Sequence, residues 1–322
     1  MERIRSLEVA TRLGQRVRVM GWLAQMRRVG AITFVVVRDG WGTVQAVVRE
    51  APDVPLESVV EVAGTVVGEP QLELHDCTIA VIEPVTAPLP VVLSKKALAL
   101  PLPALLEHAV VTNRHPTRRA VFRIAAAAMR GFRGALDREG FVEIQSPKLV
   151  GTATEGGANV FAVQYFDRTA YLAQSPQLYK QVMVGVFERV YEVGPVFRAE
   201  PHDTARHINQ YTSLDVELGF IASYRDVMAV LTRVLAEMVA TVGACEAELA
   251  LLGVTVPAVP AAIPVVDFIE ARAQIADALG EHHRGEPDLA PEGERWLGER
   301  ARAEHGSDFV FVAGYPLANA SR

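Results

Sequence analysis

Polar and apolar residues alternate from Arg16 to Met20 (Arg16-Val17-Arg18-Val19-Met20), the period of a half-buried strand. Ile32–Arg38 and Thr43–Val48 follow, separated by Asp39-Gly40-Trp41-Gly42, a turn whose glycines suit a hairpin. Val59–Val67 and Thr78–Ile82 supply two more apolar runs of strand length. Short strands packed this closely predict a small closed barrel such as an OB-fold, with a sandwich fragment as the alternative.

Beyond residue 83 the pattern changes. Pro84, Pro88, Pro90, Pro101 and Pro103 interrupt any period, so this stretch is expected to link two domains. Apolar residues at 121, 122, 125, 128, 129, 132, 135 and 136 then form a helical stripe over Thr117–Glu139, ended by Gly140. Phe141–Ile144 reads as a short strand, and Ser223-x-x-Asp226 as the capping box of a helix reaching Gly243. The charged stretch 281–305 is expected to form surface helix, with His282-His283 on a solvated face. We find no internal repeat.

Composition narrows the class. Half of the 322 residues are hydrophobic and 22% are charged, as in an ordinary globular chain of two domains. No apolar run reaches the ~18 residues of a membrane span, and the first residues lack the apolar core of a signal peptide. Cys77 and Cys245 have no metal spacing and read as reduced thiols, so a cytoplasmic protein is expected. The net charge of −6 argues against a basic coat over the whole molecule. Yet residues 1–50 hold nine arginines against four acids, which suits a phosphate backbone; a solvated arginine face is the alternative.

Candidate chemistry is concentrated between residues 175 and 221. Ser175-Pro176 has the form of a helix start, serine as N-cap and proline at N1. Gln177 and Lys180 then share one face at the positive end of that helix, suited to a small anionic or zwitterionic ligand. Tyr191–Glu200 and Tyr211–Ile221 alternate like antiparallel strands. One sheet face would carry Arg198, Glu200, Asp215 and Glu217, which is costly to bury unless the charges meet each other or a ligand. His202, Arg206 and His207 lie in the connection. Interlocking salt bridges on a solvated face remain open as a reading.

Several of these segments carry a family resemblance. Phe197-Arg198-Ala199-Glu200, Arg206-His207 and Asp215-Val216-Glu217 resemble motif 2 of class II aminoacyl-tRNA synthetases. Gly140-Phe141-Val142-Glu143-Ile144-Gln145-Ser146-Pro147 resembles motif 1. Gln174-Ser175-Pro176-Gln177-Leu178-Tyr179-Lys180-Gln181 is similar to the aspartate-pocket segment of aspartyl-tRNA synthetases of the archaeal, non-discriminating type. Thr154-Glu155-Gly156-Gly157 is similar to their mobile loop, and Arg38-Asp39-x-x-Gly42-x-x-Gln45 to their anticodon-binding hairpin. The ordered set is far more specific than any one segment. Gln210 departs from the pattern, where glutamate is usual.

The resemblance implies an α+β fold: an OB-fold over 1–88, a linker over 89–112, and a class II synthetase antiparallel-sheet domain over 113–322. It implies ATP-dependent activation of L-aspartate to aspartyl-adenylate, then transfer to tRNA-Asp, with tRNA-Asn a further candidate acceptor. Arg198 would be the catalytic residue, bridging carboxylate and α-phosphate. Glu155, Ser175, Gln177, Lys180, Arg198 and Asp215 would bind aspartate. Arg198, Glu200, Arg206, His207 and Tyr211 would bind ATP. Phe34 would stack on an anticodon base, and Gln45 and Glu73 would read its edge. Mg²⁺ would accompany ATP, with ligands expected outside this chain. A homodimer through Thr117–Pro147 is implied as well. The resemblance stops before motif 3 of the family, so the chain is expected to be an incomplete, inactive catalytic domain. A tRNA-binding relative without activity and an asparagine-synthesising relative are the alternative readings.

Overall fold

The computed structural model describes residues 2–153, 160–201, 208–285 and 288–316. Glu155, His202, Arg206 and His207 lie outside the described residues. Two compact units part between Arg119 and Ala120.

In the first unit β1 (Arg16–Val29), β2 (Ile32–Arg38), β3 (Thr43–Val48), β4 (Val59–Val67) and β5 (Glu73–Glu83) close a barrel in the order β1-β2-β3-β5-β4. The alternation converts directly into burial: Val17, Val19, Val35, Val37, Val44, Ala46, Val60, Val62 and Leu74 point into one core. At the hairpin, Asp39 is buried and accepts from the Ser6 N–H and hydroxyl, both at 2.7 Å, and from the N–H groups of Trp41 and Gly42. Burial pushes the Asp39 carboxyl up; these donors more than offset it and leave it below the usual range. Gly21 is required as glycine, because a Cβ there would overlap the Arg38 backbone. The expected linker is not structureless. It carries α1 (Leu102–Glu107) and α2 (Ala109–Thr112), since its later prolines sit at or near a helix start, where a missing N–H costs nothing.

The second unit is built on α3 (Pro116–Arg138), which runs into it from the boundary, and on β6 (Val142–Glu143), β7 (Leu149–Val150), β8 (Ala162–Tyr165), β9 (Arg168–Leu172) and α4 (Gln177–Phe187). Then come β10 (Arg189–Phe197), β11 (Gln210–Leu218), α5 (Tyr224–Gly243) and α6 (Glu246–Leu252). The chain continues through β12 (Val265–Asp267), α7 (Phe268–Leu279), α8 (Pro291–His305) and β13 (Phe311–Ala313). β10 is central in a sheet ordered β11-β10-β6, antiparallel to β11 and parallel to β6. Tyr191 and Val193 of β10, with Leu214 and Val216 of β11, pack against Phe132 and Leu136 of α3 and Val230 and Val234 of α5. α5 starts at the capping box: the Ser223 Oγ accepts from the Arg225 N–H and Asp226 accepts from the Ser223 N–H.

Further expectations change. The strand drawn over Phe141–Ile144 contracts to β6, because Phe141 turns into the core instead of continuing the ladder. α4 starts one residue late, with Pro176 at its cap; the Ser175 Oγ still accepts from the Gln177 N–H at 3.2 Å. The stretch 281–305 is partly internal: Leu297 packs on Ala271 and Ile275, and His283 is buried rather than solvated. The expected dimer stripe splits. Phe132 and Met129 belong to this unit's own core, whereas Val121 and Phe122 stay exposed.

Candidate binding sites on the barrel and the sheet

On the barrel, every second residue of a strand faces inward and its neighbours line the outside. Val36 of β2 pairs with Gln45 of β3, and Gln45 pairs in turn with Glu73 of β5, so these side chains share the outer face. Phe34 lies two residues along β2 from Val36, diagonal to Gln45. The structure therefore brings together all three residues singled out for the barrel. The Gln45 Nε2 donates to Glu73 at 2.8 Å. Sequence reasoning missed Arg27, the register partner of Phe34 on β1, whose guanidinium stands 5.5 Å from the ring centroid. The signal was there: a polar residue opposite an outward aromatic in a long hairpin.

The arginine excess does not all face solvent. Arg38 is buried and forks onto Glu57 at 2.9 and 2.7 Å, with Arg114 adding a third contact at 3.1 Å. Arg18 pairs with Glu61. Arg27 and Arg28 remain exposed beside the turn of the β1–β2 hairpin.

In the second unit the outer face of the sheet is polar. Register places Glu192 opposite Asp215 and Gly194 opposite Ser213. Two carboxylates directly opposed across antiparallel strands repel, and each is answered by its own lysine. Lys180, buried on α4, donates to Asp215 at 2.9 Å and lies 3.7 Å from Glu217. Lys148 pairs with the buried Glu192 at 2.6 Å, and the Ser146 hydroxyl donates to the same carboxylate. A Cβ at Gly194 would come within 2.9 Å of the Glu192 carboxylate and would crowd it against Lys148.

β10 ends at Phe197, so Arg198 and Glu200 lie beyond the ladder and the expected continuous charged face is shorter. One backbone bond persists, Arg198 N–H to the Asn209 carbonyl at 3.0 Å. It holds Arg198 beside Tyr211, 6.0 Å from the ring centroid. Gln174 and Ser175 are buried at the head of α4, and Phe197 N–H donates to the Ala173 carbonyl, which stitches that segment to the end of β10. Ser175, Gln177, Lys180 and Asp215 thus converge around α4 and β11, with Arg198, Glu200 and Tyr211 at the strand ends. Glu192, Lys148 and Ser146 were not singled out from sequence; the two partners lie over forty residues from Glu192, and only the register joins them.

The comparisons with known proteins agree with this layout. The family described as tRNA synthetases class II (D, K and N) matches residues 103–321, and the OB-fold nucleic acid binding domain matches residues 17–79. The aspartate–tRNA(Asp/Asn) ligase of Deinococcus radiodurans is 43% identical over 99% of this chain and 74% of its own length. That of Thermus thermophilus is 44% identical over 96% of this chain and 74% of its own. Among solved structures, asparaginyl-tRNA synthetase from Pyrococcus horikoshii complexed with asparaginyl-adenylate superposes with a TM-score of 0.85 at 28% identity. It covers 100% of this chain and 76% of that one.

Proposed function

The chain belongs to the class II tRNA synthetases of the aspartate–tRNA ligase family, and on that premise we propose that its second unit binds L-aspartate and ATP as aspartyl-adenylate and its barrel the anticodon of tRNA-Asp. One observation carries the amino-acid assignment: a buried ammonium, Lys180, shared between Asp215 and Glu217. A zwitterionic substrate with a side-chain carboxylate exchanges into such a cluster without leaving a charge alone. Its α-ammonium takes Asp215, and its β-carboxylate takes Lys180. A carboxamide at the second place would leave the ammonium underpaired in a desolvated site, which is where discrimination reaches several orders of magnitude.

The chemistry asks little of the protein beyond placement. The aspartate α-carboxylate attacks the α-phosphorus of ATP and pyrophosphate leaves; the terminal ribose hydroxyl of tRNA then displaces AMP. Arg198 would span carboxylate and α-phosphate and hold the charge that gathers between them. Tyr211 offers a face to adenine, and Glu200 an acceptor for its amino group. Glu155, Arg206 and His207 complete the reading from outside the described residues. Mg²⁺ would screen the triphosphate, but the described residues do not fit it. Asp215 and Glu192 are each taken by a lysine, and no grouping of three or more metal-ligating side chains forms among them. No step is routed through it.

Binding of non-hydrolysable adenylate analogues tests the assignment. The aspartyl form should bind at least about a hundredfold more tightly than the asparaginyl form, and Lys180→Met should erase the difference. Equal binding by the unaltered protein would overturn it. Exposed Val121 and Phe122 support a homodimer through α3, and the free cysteines Cys77 and Cys245 support a reducing, cytoplasmic setting. tRNA-Asn is a further acceptor under this reading.

A further inference from the structure

Gln71 and His75 have no role in the reading so far, yet both spend their polar atoms on one carboxylate. Glu73, almost fully buried, accepts from Gln45 Nε2 at 2.8 Å and Gln71 Nε2 at 3.1 Å on one oxygen. Its other oxygen stands 2.9 Å from His75 Nε2. Burial pushes the Glu73 carboxyl up, and the donors from Gln45, His75 and Gln71 more than offset it, so its pKa falls below the usual range. An ionised carboxylate can only accept.

That fact settles the direction of Gln45. A free glutamine amide can present its NH₂ or its carbonyl by rotating half a turn, so by itself it cannot tell a donor from an acceptor on a base edge. Beside Glu73 only the NH₂ can face inward. The Gln45 Oε1 is thereby turned outward, and no protein donor among the described residues is assigned to it. Phe34 is the diagonal neighbour of Gln45 on the same face, roughly 7–8 Å away and within reach of a base lying on the ring.

We propose that Gln71 and His75 are positioning residues that hold Glu73, and through it hold Gln45 with its carbonyl outward. The barrel then prefers, on Phe34, a base whose Watson–Crick ring nitrogen carries a proton. With the carbonyl opposite that nitrogen, uracil and guanine donate to it, whereas cytosine and adenine set a lone pair against it and have only the neighbouring amino group to offer. The inference rests on the anticodon reading above and names the chemistry by which it selects.

The test measures binding of the whole protein to anticodon stem-loops of tRNA-Asp, in which each U is exchanged for C or N3-methyluracil, and each G for A, one at a time. At one loop position the unaltered protein should lose at least about tenfold on exchange. In Gln71→Leu and in His75→Phe that ratio should fall to within about threefold, because affinity for the original loop drops while affinity for the exchanged loop holds. His75→Gln, which restores a donor, should restore the ratio. A ratio that survives both variants, or an equal loss for every loop, overturns the inference. Phe34→Ala separates the two levels. If it leaves binding of the original loop unchanged, the anticodon reading fails and takes this inference with it. If it weakens binding while the Gln71 and His75 variants keep the ratio, only the present inference fails.

Discussion

β4 of the barrel and β11 of the sheet are both nine residues long, yet they end up differently. In β4 every second residue is buried (Val60, Val62, Gly64, Val66), because the barrel closes around one core. In β11 no residue is fully buried: one face leans on α3 and α5, and the other carries Asp215 and Glu217 toward Lys180. Buried charge follows the same division. On the barrel Arg38–Glu57 and Asp39–Ser6 are buried sets in which donor and acceptor both belong to the unit. On the sheet, under the proposed function, a ligand that brings its own charges would reopen the pairing of Lys180 with Asp215 and Glu217. A closed set stabilises the fold, and an exchangeable set makes a site.

The comparison predicts where substitutions act. Glu57→Gln should be the most damaging change on the barrel. It leaves Arg38 buried beside a neutral amide, at a cost of about 3–5 kcal/mol, seen as an early unfolding transition in Trp22 and Trp41 fluorescence. Lys180→Met should leave that transition in place and instead remove aspartyl-adenylate binding. Were both variants to unfold the same transition, the distinction between closed and exchangeable sets would collapse.

Asp39→Asn should cost about 2 kcal/mol, because it weakens bonds to a charged acceptor. Its acid dependence has a definite sign. The folded carboxyl lies below its unfolded value of about 4, so the stabilisation is complete above that value and is lost as pH falls through the lowered folded one. The amide variant should flatten the acid limb of the stability curve; an unchanged limb would remove Asp39 as its source.

Phe34→Ala should weaken anticodon-loop binding by about 1–3 kcal/mol and leave adenylate binding untouched. Ser223→Ala tests the least specific contribution. Loss of the cap of α5 should cost about 1 kcal/mol in the second unit with no effect on RNA binding by the first.

Much of this was legible beforehand where a local rule sufficed. The barrel strands follow from alternation, the hairpin from Asp39-Gly40-Trp41-Gly42, and the start of α5 from Ser223 and Asp226, because each depends on neighbours a few residues apart. Phe34, Gln45, Lys180, Asp215 and Arg198 could be named from ordered motifs. Their surroundings could not. That Glu192 meets Lys148, that Arg27 covers Phe34, and that Gln71 and His75 converge on Glu73 depends on strand register, which sequence spacing does not reveal. The same holds for Arg38, one of the nine arginines read as facing phosphate or solvent and found inside. By itself the sequence determined the barrel strands, the stripe of α3 and the start of α5, and it named residues that bear the chemistry. Only the tertiary structure decided which charge answers which. A charge pair across strands is set by register and by side chains brought together from distant parts of the chain, whereas periodicity records only how one segment meets the core.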